Sequence, residues 1–311
     1  MKIAISCGDP AGIGPEIVNK ALSHFENDNI KFRYFCNSHL IEKLYAIMPQ
    51  VPKIKSNTDI IDIDVDIESP KFGKASPEGG EISWQSFIQA TEDVISGHSD
   101  AIVTAPINKY SWKLAGFDCP GHTDKLAEIF RIDDFAMAFI KEPYRLILQT
   151  IHEPLSHIST MITSDSVYKK IIMAADFLNR IGEDIHIDVL GLNPHAGEKG
   201  KFGHEEKPIK DAIIKAQNEG IDCYGPHVPD AFFTKWQNSP EGMVIAMYHD
   251  QGLIPFKMIS KGYGVNTTLG LPIIRTSPEH GTAMDIAGKN LAYPTSMIEA
   301  IKLAIKLHKT T

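Results

Sequence analysis

The chain has 311 residues, with 31 Lys and Arg against 39 Asp and Glu, for a formal charge of −8. That length is large for one core and suits two domains or lobes, and the absence of any long basic run argues against nucleic acid and anionic membrane as partners. The four cysteines, Cys7, Cys36, Cys119 and Cys223, form no CxxC pair, which points away from a thiolate metal site and from a disulfide framework.

Hydrophobic residues make up 43%, ordinary for a soluble globular protein. With no 18-residue apolar span and no signal-peptide pattern, a cytoplasmic location is expected. The fold class that the pattern predicts is α/β. Lys2 to Ser6 reads as a strand running into CGDPAGIGPEI, where Gly8, Gly12 and Gly14 relieve a turn and Pro15 can open a helix over Glu16 to Leu22. This turn is not the GxGxxG dinucleotide fingerprint. It reads either as a cofactor loop or as a tight βα turn with Asp9 capping the helix. Phe32 to Cys36 is a second strand and His39 to Ala46 a second helix. IDIDVDI, Ile61 to Ile67, reads as an exposed or edge strand, and Ser69 to Gly80 as a loop. Ile82 to Val94 is a helix, and Ala101 to Thr104 a short buried strand with Asn108 and Lys109 just past its end. A helix over Lys109 to Ala115 stops at Gly116.

Gly121-His122-Thr123-Asp124 precedes a helical run from Lys125 to Phe130. Either Thr123 or Asp124 caps that helix, or His122 and Thr123 meet a substrate anion near its N–H groups. Phe135 to Ile140 and Tyr144 to Gln149 form an antiparallel pair, and His152 follows the second strand. Met161 to Leu178 is an amphipathic helix. Ile185 to Leu190 is a buried strand opening into GLNPHAGEKG, with His195. Lys207 to Asn218 is a helix and Gly225 to Asp230 a loop. The apolar run VIAMY then ends at His249 and Asp250, and Lys257, Asn266 and Arg275 follow, then His280, Gly281, Thr282 and Asp285. Leu291 to Leu307 closes the chain as a helix. Strand ends followed by polar clusters are where open α/β sheets bind ligands, and the residue types from His249 to Asp285 suit a small anion. Three imidazoles with an open position can hold a catalytic metal, and each of His152, His195 and His249 follows an apolar run. The competing use of such a histidine is as general base or phosphate contact.

Together, GDPAGIGPEI, the GHTD segment, NPHAGE, YHDQG..PFK and N..LGLP..RTSP.HGTA.DIAG resemble the 4-hydroxythreonine-4-phosphate dehydrogenases, in the same order and over nearly the whole chain. The SPEHGTAMDIAGKN segment also resembles the cofactor loop of isocitrate and isopropylmalate dehydrogenases. The resemblance implies two α/β/α lobes around a central cleft. Roughly, residues 1–125 with 265–311 form the cofactor side and 126–264 the metal and dimer side. It implies a homodimer, NAD or NADP as hydride acceptor, and 4-phosphooxy-L-threonine as substrate in vitamin B6 synthesis. A divalent cation (zinc, magnesium or cobalt) would be held by His152, His195 and His249, drawn from both subunits. His122, Thr123, Lys257, Asn266 and Arg275 match substrate contacts, while Asp9, Gly12, His280, Gly281, Thr282 and Asp285 fall near the cofactor. Position makes Asp250 the first candidate for proton acceptor and Lys109 the second.

The chain departs from the family pattern at Asp124, where glutamate is usual, at Lys199, where glycine is usual, at Lys201, where histidine is usual, and over residues 225–230. Two other readings stay open: a paralogous dehydrogenase of a four-carbon acid phosphate such as 4-phosphoerythronate, and a non-catalytic metal- and nucleotide-binding protein.

Overall fold

The computed structural model describes residues 1–25, 29–63, 65 and 70–309. In chain order the elements are β1 (Lys2–Ser6), α1 (Gly14–His24), β2 (Lys31–Cys36), α2 (Ser38–Ile47), β3 (Thr58–Asp62), α3 (Pro77–Ile95), β4 (Ala101–Thr104), α4 (Lys109–Leu114), α5 (His122–Phe130), β5 (Ala136–Lys141), β6 (Tyr144–Leu148), α6 (Leu155–Met161), α7 (Ser164–Arg180), β7 (Ile187–Leu190), α8 (Glu206–Asn218), β8 (Cys223–His227), α9 (Pro229–Trp236), β9 (Met243–Ala246), α10 (His249–Ser260), β10 (Val265–Leu269), β11 (Ile274–Pro278) and α11 (Thr295–Lys309). A 3₁₀ segment, Pro194–Gly200, lies between β7 and α8.

The chain divides into two compact units, Met1–Asp133 with Leu271–Lys309, and Asp134–Gly270. In the first, the strands run β3-β2-β1-β4-β11, each paired in parallel with its neighbours in that order. β1 and β4 are apolar and buried on both faces almost throughout, as helix-covered parallel strands require, and β11 is buried although it carries Arg275, Thr276 and Ser277. Phe35, Phe87, Ile102, Trp112 and Leu126 gather in its core. In the second unit the order is β10-β5-β6-β9-β7-β8, antiparallel at β10–β5–β6 and parallel beyond. Phe139, Leu146, Leu190, Trp236, Val244 and Phe256 form its core.

Several elements differ from the sequence expectation, each for a local reason. Helix α3 begins at Pro77, ahead of Ile82, because Ser76 Oγ accepts from Gly79 N–H and the proline sits in the first turn. The helix expected from Met161 begins instead at Ser164, where Thr163 and Ser166 form a reciprocal cap, and α6, which ends at Met161, lies ahead of it without a counterpart in the sequence expectation. Cys223–His227, expected in part as loop, is a strand at the sheet edge, where Pro226 is tolerated. Strand β3 lies at an edge but spans Thr58–Asp62, so it takes up only Ile61 and Asp62 of the expected 61–67 strand; Ile63 and Val65 are not strand, and residues 64, 66 and 67 lie outside the described residues. Helix α10 has no counterpart in the sequence expectation, since Gly252 and Pro255 look like breakers. Gly252 is there for packing: a Cβ would meet Ala246 Cβ at 2.9 Å and the Leu146 and Leu148 methyls at 2.9 and 3.0 Å. Its absence seats α10, and so His249, on the sheet.

Candidate active site

In the first unit, β4 ends at Thr104 and β11 pairs with it in parallel, with Arg275 opposite Ile102. Arg275 is 4% exposed. Its Nη2 and Nε donate to Thr104 Oγ1 at 2.9 and 3.2 Å, and Nη2 lies 3.3 Å from His122 Nδ1. A guanidinium can only donate, so His122 Nδ1 accepts and its proton sits on Nε2. That Nε2 is buried with no hydrogen-bond partner among the described residues. The ring is walled by Phe87 and Trp112, at centroid distances of 4.6 and 5.5 Å. Burial first, then the charges of Arg275 and Lys109, hold the imidazole well below its ordinary 6.5, so it is neutral at physiological pH. Burial also lowers Arg275 to about 10, which leaves it charged there. The pairing is therefore a cation beside a neutral N–H donor, a combination that suits a phosphate or carboxylate oxygen.

His122 and Thr123 stand inside the first turn of α5 and not ahead of it. The cap position is Gly121, with no side-chain cap, so neither Thr123 nor Asp124 closes the helix end. Asn108 caps α4 through its Oδ1, which accepts from Tyr110 and Ser111 N–H at 2.9 and 3.1 Å. Lys109 follows it, and a Cβ on Gly121 would lie 3.6 Å from Lys109 Cε. Lys109 thus stands at the head of α5.

The glycine turn and the 280s segment also meet within this unit. Ile13 N–H donates to Thr282 O at 2.9 Å, and a Cβ on Gly12 would sit 2.7 Å from that oxygen, so only glycine lets the loops touch. His280 and Thr282 are half-buried, and Gly281 and Asp285 exposed. Asp9 turns inward and is fully buried. Its Oδ1 accepts from Ala11 N–H at 2.9 Å instead of capping α1, and its Oδ2 has no hydrogen-bond partner among the described residues. Burial raises its carboxyl. The Ser111 hydroxyl, close but not in good hydrogen-bond geometry, and the Ala11 N–H oppose that rise.

In the second unit, β6 and β9 run parallel with Leu148 opposite Ala246, so both leave the sheet at the same end. This brings His152 and His249 to a ring-centroid distance of 5.8 Å. Asp250 Oδ1 meets His249 Nδ1 at 2.7 Å, which leaves Nε2 as the outward lone-pair donor, the arrangement of a carboxylate-oriented metal ligand. Two imidazoles this near each other are residues that could hold a divalent cation. His195, on the 3₁₀ segment, is exposed, and among the described residues no group of three His, Cys, Asp or Glu side chains is gathered to hold an ion within one chain. Lys257 is exposed on α10, and Asn266 is 6% exposed on β10. Arg275, Lys257 and Asn266, grouped in sequence, therefore fall on two different units.

Sequence reasoning passed over Thr104, although a polar residue closing an apolar strand was a signal. Phe87 and Trp112 gave none, since aromatic residues inside helices read as core.

An α/β chain with a buried arginine–histidine anion group, a glycine turn joined to a second loop, and paired strand-end imidazoles is equipped to handle a small phosphorylated acid. Residues 15–304 match the family model described as pyridoxal phosphate biosynthetic protein PdxA. The chain is 38% identical to the 4-hydroxythreonine-4-phosphate dehydrogenase of Sulfurihydrogenibium sp. (strain YO3AOP1), over 99% of both chains. It is 39% identical to the D-threonate 4-phosphate dehydrogenase of Salmonella typhimurium (strain LT2), over 98% of both. It also superposes on a crystal structure of 4-hydroxythreonine-4-phosphate dehydrogenase from Klebsiella pneumoniae with a TM-score of 0.84, at 34% identity over 99% of both chains. The fold alone extends to a β-decarboxylating dehydrogenase from Thermococcus kodakarensis, with a TM-score of 0.58 at 15% identity, over 98% of this chain and 83% of that one. The chain belongs to the PdxA family, and its activity is that of an NAD(P)-dependent oxidoreductase. No helix among the described residues is long and apolar enough to cross a membrane.

Proposed function

We propose that the substrate is 4-phosphooxy-L-threonine, oxidised at C3 to a β-keto acid that loses carbon dioxide to give 3-amino-2-oxopropyl phosphate, in vitamin B6 synthesis. The observation that carries this reading is the buried Arg275–Thr104–His122 group, with one fixed cation and one N–H unpartnered among the described residues. Arg275 grips an anionic oxygen of the substrate, Thr104 holds the guanidinium plane, and His122 donates from Nε2. Thr123 adds to this group in the first unit, and Asn266 and Lys257 of the second unit are the remaining proposed substrate contacts, Lys257 as a movable point charge. Asp250, a carboxylate in contact with His249, is the first candidate to take the hydroxyl proton, and Lys109 the second, since the charged amine that acts on His122 would first have to lose its own proton.

NAD or NADP supplies the hydride acceptor, and a divalent cation (zinc, magnesium or cobalt) supplies a Lewis acid for the alcohol and for the charge left as carbon dioxide departs. The joined loops at Gly12 and at His280, Gly281, Thr282 and Asp285 hold the nucleotide, with Asp9 beneath them. Tyr293, 75% exposed, offers a face for the adenine. His152 and His249 hold the cation from one chain and His195 completes it from a second copy. Leu155, Ile254 and Met258, which are 73%, 59% and 74% exposed on α6 and α10, support a homodimer. The two units correspond to lobes of the isocitrate/isopropylmalate dehydrogenase type, a reading supported by the fold likeness to the β-decarboxylating enzyme.

A second reading, a catabolic dehydrogenase of D-threonate or D-erythronate 4-phosphate, is favoured by the 39% identity to the Salmonella enzyme, against 38% to the Sulfurihydrogenibium one. NAD(P)H formation from each of the three phosphates by the purified protein separates them. A kcat/KM at least tenfold higher for 4-phosphooxy-L-threonine, with the aminoketone phosphate as product, supports the first. A preference for either sugar-acid phosphate moves the protein to the second, and turnover of none overturns both.

A further inference from the structure

The geometry points to Glu206 as the residue that positions His195, an inference resting on the reading of His195 as a cation ligand. From His195 to Lys199 the φ angles are 55°, 48°, 73°, 40° and 58°, five successive residues in the left-handed region with only Gly197 a glycine. L-residues enter that region singly and reluctantly. A run of them persists only where the surroundings over-determine it, and such strain gathers at functional positions.

Here the start of α8 does the holding. Glu206 is 8% exposed. Its Oε1 accepts from Asn193 N–H at 2.7 Å and its Oε2 from Asn193 Nδ2 at 3.1 Å. Asn193 Nδ2 also donates to Glu205 Oε2 at 2.8 Å, which in turn accepts from His204 N–H at 2.9 Å. The same Glu206 Oε2 lies against the bare α-carbon of Gly197, where a Cβ would overlap it. Phe202 N–H closes the far side on Gly197 O at 3.1 Å. One buried carboxylate therefore grips the loop at its entry, Asn193, and at its middle, Gly197, and the imidazole between them is left exposed. An outward imidazole on a stiff turn is what a ligand shared with another chain requires. Without Glu206, Asn193 N–H and the glycine contact are both released and His195 samples other directions.

The experiment measures Co²⁺ binding to the full-length protein by calorimetry and by visible absorption. Wild type is compared with His195→Ala, Glu206→Ala, Glu206→Gln, Gly197→Ala and, as a control in the same helix, Ile209→Val. Removing an outer-shell orienting partner costs about 10–100-fold in metal affinity, so Glu206→Ala is expected to weaken Co²⁺ binding at least tenfold. Glu206→Gln keeps an acceptor for Asn193 N–H but turns an amide N–H towards Asn193 Nδ2, so it should weaken binding less than Glu206→Ala does, by under about tenfold. Gly197→Ala, which pushes a methyl at the carboxylate with α8 intact, is expected to weaken binding as well, and this holds even if Glu206→Ala does not fold. Ile209→Val, a pure packing loss, should leave affinity unchanged. Wild-type affinity in Glu206→Ala or Gly197→Ala, while His195→Ala loses Co²⁺, would overturn the inference alone. An equal loss in Ile209→Val would reduce Glu206 to a stabiliser of α8. If His195→Ala also binds normally, the ligand reading fails and this inference falls with it.

Discussion

Replacing Arg275 by alanine tests the anion group most directly. The side chain is 4% exposed, and its guanidinium holds Thr104 and His122. A surface ion-pair residue would be worth about 0–1 kcal/mol, less than about sixfold in rate. Truncating a buried, charge-assisted contact to a substrate costs about 2–5 kcal/mol. At about 1.36 kcal/mol per decade, the lower bound is a loss of roughly thirtyfold. Arg275→Ala is therefore expected to lower kcat/KM for the preferred phosphate by at least roughly thirtyfold, with bound Co²⁺ unchanged. A second signature follows from electrostatics. Arg275 is the second cause, after burial, of the depressed His122 pKa, so its removal lets the imidazole rise part of the way towards 6.5. Followed by NMR, the His122 imidazole of Arg275→Ala should titrate at a higher pH than in wild type, and Arg275→Lys, which keeps a charge without the two-pronged fork, should hold it nearer wild type while recovering little of the rate. A rate loss below threefold in Arg275→Ala would refute the assignment.

Other outcomes follow from the same structure. His122 is held neutral in the fold, whereas the unfolded chain takes up its proton near 6.5. The unfolded state then binds more protons below that pH, so stability is present above it and falls as the pH drops towards the folded pKa; urea midpoints at pH 7.5 and 5.5 should show a smaller decline in His122→Asn than in wild type. Lys199 sits at φ 58°, where the family pattern has glycine. Relief of about 1–2 kcal/mol of left-handed strain, less about 0.5–1 kcal/mol for glycine's unfolded freedom, makes Lys199→Gly more stable by about 0.5–1 kcal/mol, and Lys199→Ala no more stable than wild type. Equal denaturation midpoints for the two variants would contradict this. If the cation is held across two chains, activity and dimer mass should disappear together in a dilution series followed by sedimentation and rate measurements, and a fully active monomer would defeat the shared-ligand proposal.

Much of the fold is legible in the order of residues alone. β1 and β4 carry the bounds that the apolar runs predict, and α1, α2 and α8 fall within a few residues of expectation, because each is set by local periodicity, caps and glycine stops. The ordered motifs, which need only the order of residues, point to the family to which the chain belongs. What sequence could not carry was any relation between segments far apart. Thr104 and Arg275 are 171 positions apart, and only the parallel pairing of β4 with β11 makes one the acceptor of the other. His152 and His249 become a pair because β6 and β9 leave the sheet at the same end. Helix α10 overrides two apparent breakers because Gly252 is needed bare against Leu146 and Leu148. The protonation state of His122 and the left-handed turn at His195 belong to the same class. Burial against Phe87 and Trp112 sets the first and the Glu206 carboxylate the second, and desolvation and packing act through space, where the order of residues along the chain is silent.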